Sequence, residues 1–399
     1  MIDSADGSFA VEGHRVLADR REGESPPVPT PVEPTVRDDV DAAFDHVDRV
    51  GLLGRGRADG SANRPIAEGW SRAQSADGEP VVVIHANDAD PDATVDEYLC
   101  RTAARRVLDA AGAVASVVGA TDVVAFVSED DAHTATQLAE ASTSDERIAV
   151  GPEKFLVGEP TMALEALEGN DRIEARRRPP GPDEWGLYGR PTLVHTPRTL
   201  LQLAELWRNP AAFDADAADP GTRLFTVTGD VPEPATVELS TGTPLARLLD
   251  AVDEPTGARY CVGGRFGGLT RTLDVPASAP ALEAAGLGAE GIVEVLGPKR
   301  CVVATVGQRA AVAREENCGR CVPCREGSIQ AHERLRAVYR GTFDASELRE
   351  LGRVMASTSL CAFGETAARP LLTGLEAFES EFRAHADGRC PAGSCEGLR

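Results

Sequence analysis

Three of the nine cysteines in this 399-residue chain fall in "ENCGRCVPCREG", residues 316–327, as Cys318, Cys321 and Cys324. A repeat of three lets one short loop wrap successive thiols around a corner. Cys361, in "STSLCAFGETAARP", offers a fourth thiol farther along. A local triplet closed by one distant cysteine is a common way for four thiolates to hold an iron–sulfur cluster. Zinc also takes four cysteines but prefers two separated pairs. Chance buried thiols are a poor account of a triplet flanked by Gly319, Pro323 and Gly327. The spacing predicts a [4Fe–4S] cluster on Cys318, Cys321, Cys324 and Cys361.

The remaining thiols carry weaker signals. Cys390 and Cys395 form "CPAGSC" near the end of the chain. Two ligands alone cannot complete a site, so this pair reads as spare or shared with a partner. Cys100, Cys261 and Cys301 lie in apolar segments and are expected to be ordinary core residues. An odd number of unevenly spaced cysteines points to a reducing compartment and metal chemistry, not to a disulfide framework.

Composition narrows the function classes. The chain has 64 Asp and Glu against 41 Lys and Arg, a formal charge of −23. Such a surface repels the phosphates of a nucleic acid. Lys154 and Lys299 are the only lysines. An acidic surface almost without lysine suits concentrated salt, where the Debye length shrinks to about 3 Å at 1 M and self-repulsion is screened. No secretory signal and no run of roughly 18 apolar residues is visible. The expectation is a cytoplasmic protein without a direct membrane span, peripheral to a membrane only through partner subunits.

The elements that must position the thiols follow from periodicity. Residues 1–37 include "REGESPPVPTPVEPTV" and read as a flexible, acidic, proline-rich arm. "DDVDAAFDHVDRV" has a helical pattern and leads into a glycine-containing loop at 51–70. "EPVVVIHAND" is a buried strand, "VDEYLCRTAARRVLDAAGAVASVVGA" a long helix and "DVVAFVSED" the next strand. That order implies a parallel sheet with crossover helices, an α/β domain over 38–221. Short strands with turn signals and one helix make 222–300 a small α+β module. The chain reads as helical from Gln308 onward, within a helical domain drawn over 301–386, and a cysteine-containing tail occupies 387–399. No internal repeat is present.

These motifs resemble a known family. "ENCGRCVPCREG" followed by "SLCAFGETAARPLLTGLEAFESEF" is similar to the cluster domain of the NADH-binding flavoprotein subunit of respiratory complex I, a family that includes related hydrogenase and formate dehydrogenase subunits. "GTRLFTVTGDVPEPATVELSTGTPLARLL" looks like its β-grasp, soluble-ligand-binding module. "RPPGPDEWGLYGRPTLVH" looks like a segment of its Rossmann-like domain. The "CPAGSC" tail resembles longer relatives that continue into a ferredoxin-like extension. The resemblance implies a Rossmann-like domain in which FMN and NADH share a pocket, then the β-grasp module and the helical cluster domain. FMN would accept a hydride and pass electrons singly to the cluster, the cofactor carrying the chemistry and the protein orienting it. It implies an electron-transfer subunit of an NADH dehydrogenase (quinone)-type oxidoreductase. The partners implied are other subunits of the complex, a ferredoxin-like or thioredoxin-like iron–sulfur subunit among them.

Carried over by matching positions, Gly54, Arg55, Gly56, Asp88, Glu159 and Arg178 are the candidate FMN and NADH residues, and no residue is assigned a catalytic role. The flavin loop "GLLGRGRADGSANRPIAEGW" keeps Gly51, Gly54, Arg55, Gly56 and Trp70 but has Arg57 and Asp59 in place of glycines, and Gly69 in place of a lysine. His85 replaces an asparagine, Pro160 a glutamate, and His195 and Thr196 two asparagines. Gly181 replaces the aromatic expected to stack on adenine, and Arg178 keeps the charge of a lysine. Glycines let backbone N–H groups approach a phosphate, which Asp59 would repel. A flavin-free [4Fe–4S] relay or scaffold subunit is the alternative, and a zinc-stabilised structural subunit a third reading. Outside a cofactor site, Arg55 would be a solvated arginine, Glu159 a helix N-terminal acid and His195 a satisfied loop histidine.

Overall fold

The computed structural model describes residues 9–11, 31–143 and 146–396. Its first sheet is wholly parallel. It is formed by β2 (Val81–His85), β3 (Asp122–Ser128), β4 (Glu146–Gly151) and β5 (Thr192–His195), in the order β4-β3-β2-β5. All five residues of β2 are buried, as a strand covered on both faces requires. The register sets Val83 between Val124 and Val194. α4 (Val95–Val118) crosses from β2 to β3, and α5 (Ala132–Ala141) connects β3 to β4. α6 (Pro160–Leu167) precedes β5, and α7 (Pro197–Arg208) follows it and packs on α4. His85 and His195 end neighbouring strands, so the loops after them line the carboxyl edge, where ligands of open α/β sheets bind.

The second sheet is mixed and has the order β1-β7-β6-β10-β8-β9. β6 (Thr222–Gly229) and β7 (Ala235–Ser240) form an antiparallel hairpin, and β10 (Ile292–Leu296) joins β6 in parallel. β8 (Arg259–Val262) and β9 (Gly268–Thr270) complete it, with the short α8 (Ala279–Ala284) before β10. The edge strand β1 (Phe9–Val11) pairs in parallel with β7. The flexible-arm expectation for 1–37 is therefore corrected where residues are described. Val32 and Val36 are buried, and the Asp109 carboxylate accepts the N–H groups of Val32 at 2.7 Å and Glu33 at 3.2 Å. Those bonds satisfy the free donors that begin α1 (Glu33–Asp38). The rest of that segment lies outside the described residues. α2 (Val40–Val50) and α3 (Ile66–Ser75) bracket the glycine loop, which ends at residue 65, earlier than its composition suggested.

Five helices complete the fold, namely α9 (Val302–Glu316), α10 (Val322–Val338), α11 (Ala345–Thr358), α12 (Ala362–Ala367) and α13 (Arg369–Ala386). The helical region begins at Val302, not at Gln308, because the Cys301 sulfur caps α9 by accepting from Ala304 N at 3.4 Å. The region docks through three phenyl rings. Phe155 before α6, Phe266 in the mixed-sheet module and Phe363 in α12 meet edge to face, with centroids 5.2–5.8 Å apart. Burying each ring contributes about 1.5–3 kcal/mol, and the edge-to-face geometry adds to that.

Candidate functional site

The loop between α2 and α3 is folded on itself. A β carbon at Gly54 would lie 2.4 Å from the Ser61 carbonyl oxygen, so only glycine fits. Next to it, Arg55 turns inward. Its guanidinium donates to the carbonyls of Thr222 (3.0 Å), Pro220 (2.6 Å) and Leu53 and pairs with Asp219 at 3.2 Å. Burial lowers its pKa to about 10 against the opposing pull of Asp219. Arg55 was expected either in the pocket or solvated, and it is neither. It rivets the loop to the start of β6.

Asp59 occupies the other side of the loop. Its carboxylate accepts Ser61 N at 2.8 Å and Thr196 N at 3.1 Å and lies 3.2 Å from His195 Nδ1. Trp70 Nε1 donates to His195 Nε2 at 3.0 Å, so the His195 proton is on Nδ1 and points at Asp59. Thr196 caps α7, and Arg198 N is already bonded to Asp96 at 3.1 Å. A helix N-terminus facing a glycine loop is a favourable seat for a phosphate. Here the protein's own carboxylates fill it.

Beside this loop a cavity of about 220 Å³ opens between the parallel sheet, the mixed-sheet module and α12. Gly56, Asp88 and Glu159, three of the expected residues, lie on its wall. Asp88 pairs with Arg57 at 2.6 Å, and the Arg57 guanidinium lies 3.8 Å from the Phe155 ring centroid. Glu159 caps α6, accepting from Thr161 N and Met162 N, and pairs with Arg178 at 2.8 Å. Arg178 lines a neighbouring cavity of about 230 Å³ with Gly181 and His195, and Gly54 faces neither. Sequence reasoning missed Arg57, Phe155, Phe363, Asn63 and Glu290 on the first wall. Arg57 was visible only as a missing glycine, and the two phenylalanines arrive from distant segments. Asn63 Oδ1 and Glu290 Oε2 are buried there without a hydrogen-bond partner among the described residues, which suits a polar ligand. The rings and polar atoms of the cavity wall thus suit a polar ring system, but the loop does not fit a phosphate on Thr196 N, which the Asp59 carboxylate already occupies.

The predicted cluster thiols lie near one another by the start of α12, Cys321 and Cys318 beside Cys324, and Cys318 near Cys361. Cys321 precedes α10 and Cys324 lies in its first turn, while Cys361 precedes α12. A β carbon on Gly364 would come within 3.0 Å of Cys324 Cβ, so glycine lets the two helices close. Asn317 Oδ1 accepts Gly319 N at 3.0 Å and shapes the turn that carries Cys318. Burial, with Cys321 and Cys318 nearby, pushes the Cys324 thiol up to about 12, and burial with Glu159 nearby pushes Cys361 up as well. Those two buried thiols ionise only beside compensating positive charge, which the irons of a cluster supply. This donor set fits a [4Fe–4S] cluster.

Residues 47–205 match the family described as "Nuo51 FMN-binding domain", and residues 304–385 match the "NADH-ubiquinone oxidoreductase-F iron-sulfur binding region". Together they cover more than half of the chain. Both matched regions are those of the NADH-binding flavoprotein subunit family. The chain's similarity to members of this family extends along most of its length. It is 27% identical to the HndC subunit of the NADP-reducing hydrogenase of Solidesulfovibrio fructosivorans, over 89% of this chain and 78% of that protein. It is 31% identical to a subunit of the NADH-quinone oxidoreductase of Mycobacterium bovis, over 61% of this chain and 58% of the relative. The crystal structure of an air-oxidised NAD+-reducing [NiFe]-hydrogenase superposes with a TM-score of 0.81 at 25% identity, covering 95% of this chain and 68% of that one. The family is one of electron-transfer subunits of oxidoreductases, with an FMN-binding and a 4Fe–4S-binding domain, and both domains are present here. No helix among the described residues is long and apolar enough to cross a membrane.

Proposed function

We propose that this chain oxidises NADH within a multi-subunit complex and passes the electrons singly through a [4Fe–4S] cluster on Cys318, Cys321, Cys324 and Cys361. The observation that carries this reading is the sharing of α12. Cys361 begins it on the thiol corner, and Ala362, Phe363 and Thr366 of the same helix wall the cavity. A redox ring in the cavity and the cluster would be separated by about one helical turn of protein. Bound there, a flavin supplies the conversion between two-electron and one-electron transfer.

The chain's own residues have separable tasks. Phe155 and Phe363 offer apolar faces to a ring. Glu159 and Asp88 hold the Arg178 and Arg57 cations. The phenyl triad keeps water from the space between cavity and thiols. Val322 is 59% exposed directly after Cys321, an apolar spot where electrons could leave to a ferredoxin-like or thioredoxin-like iron–sulfur subunit. A quinone would then be reached only through such partners.

The test is an absorption spectrum with iron, sulfide and flavin assays on protein purified without oxygen in high salt. A broad visible shoulder, released FMN and bleaching by NADH support the proposal. Cluster absorption without flavin, and without bleaching when FMN is added, would leave the flavin-free relay that the Asp59 arrangement favours.

A further inference from the structure

Four donors outside the cluster corner converge on one point. They are the sulfurs of Cys301, Cys390 and Cys395 and a ring nitrogen of His385, all within 4.8 Å of one another. Cys301 stands at the start of α9 and His385 in the last turn of α13, and the two tail cysteines follow it. The tail therefore does not hold a spare pair, and Cys301 is not an ordinary core thiol. We infer that these residues bind one zinc ion that fastens the C-terminal tail to both ends of the helical domain.

Distances favour a single ion. His385 Nε2 lies 3.2 Å from Cys301 Sγ and 3.6 Å from Cys395 Sγ. A tetrahedral zinc, with bonds of about 2.3 Å to sulfur and about 2.0 Å to nitrogen, sets its donors roughly 3.5–3.8 Å apart. An iron–sulfur cubane spreads its thiolates around four metals and needs a wider corner. The donor set of three cysteines and one histidine is also a structural zinc set, and with four protein ligands no position stays open for substrate.

The surroundings prepare the ligands. His385 Nδ1 is 2.7 Å from the Glu381 carbonyl oxygen. A carbonyl only accepts, so the ring proton is on Nδ1 and the Nε2 lone pair points at the thiols, the outer-shell arrangement that orients metal-bound histidines. Ala304 N donates to the Cys301 sulfur, and the backbone N–H groups of Ser394 and Cys395 point at the Cys390 sulfur. The Tyr339 ring packs edge-on against His385, centroids 5.4 Å apart. Cys390 is buried and Cys395 half-buried, so an ion can enter from the Cys395 side. As it binds, the thiols release their protons to solvent.

Metal analysis of the full chain tests this, with iron and sulfide measured separately so that failure of the cluster proposal is distinguishable. Expected is one zinc per chain that survives desalting and is lost in Cys395→Ser and His385→Ala, while iron and sulfide stay at the wild-type level. Because His385→Ala could fail to fold, cobalt is also titrated into zinc-stripped wild-type protein. Tetrahedral thiolate-to-cobalt absorption is expected there and should be absent in Cys395→Ser. Zinc-free protein that gives no such band overturns the inference. So does a Cys390–Cys395 disulfide in anaerobically purified protein, or zinc retained in both variants.

Discussion

The Asp59 carboxylate accepts the backbone N–H of Thr196 at 3.1 Å, at the N-cap of α7. An internal anion thereby takes the place that a glycine loop and a helix N-terminus would offer to a phosphate. Asp59→Asn removes the charge while keeping an oxygen for Thr196 N. FMN affinity is expected to rise at least tenfold, about 1.4 kcal/mol, read by flavin fluorescence titration at constant salt. Equal affinity in the two proteins would mean that a bound flavin keeps its phosphate away from α7.

Cys361→Ser should remove iron and acid-labile sulfide together, because Cys361 is the one ligand remote from the triplet. Iron chelation of the wild type should lower Tm as well, since two of the freed thiols, Cys324 and Cys361, are buried. A chelated protein with unchanged Tm and unchanged hydrogen exchange in α10 and α12 would remove any structural role for the cluster.

Phe363 touches both Phe155 and Phe266, rings from two other parts of the fold. Phe363→Ala is expected to cost about 3–5 kcal/mol, measured by denaturant unfolding. A loss under about 1 kcal/mol, well below that range, would show that the triad packs loosely and does not hold the helical region in place.

His85 is fully buried, and burial lowers its pKa to about 4 from 6.5 although its ring bonds the Val157 carbonyl at 2.9 Å. A depressed folded-state value means that the unfolded chain binds the proton first as pH falls. The associated stability is complete above about 6.5 and is lost progressively down to about 4, on the order of 3 kcal/mol in all. Urea unfolding between pH 7 and pH 4 should show a shallower loss in His85→Gln than in the wild type. Parallel curves would assign the acid sensitivity to carboxylates.

The formal charge of −23 predicts a Tm that climbs with potassium chloride from 0.1 to 1 M, as the Debye length falls from about 10 to about 3 Å. Buried pairs such as Arg198–Asp96 at 2.6 Å are screened little and should survive the same titration. A flat or falling Tm would argue against salt adaptation.

How much was legible beforehand follows from the range over which each feature is encoded. The parallel sheet could be read because "VVVIH" and "DVVAFVS" are runs of buried β-branched and apolar residues around one long helix, a pattern contained in adjacent residues. The Cys318–Cys324 triplet was legible for the same reason, being a local spacing. The resemblance identified Gly56, Asp88 and Glu159, which reach the cavity, but could not tell that Arg55 turns away from it. That direction depends on carbonyls at residues 220 and 222, more than 160 positions away. Asp59 reads as a lost glycine until Thr196 and His195 are folded against it. Cys301 and His385 are 84 residues apart and meet only because α9 and α13 pack side by side and bring the start of one to the end of the other. Secondary structure, family and cluster thiols are thus written along the chain. Which charges fill the flavin loop, and which four side chains close around the tail, are set by tertiary packing alone, because docking of whole elements fixes those distances and no local spacing records them.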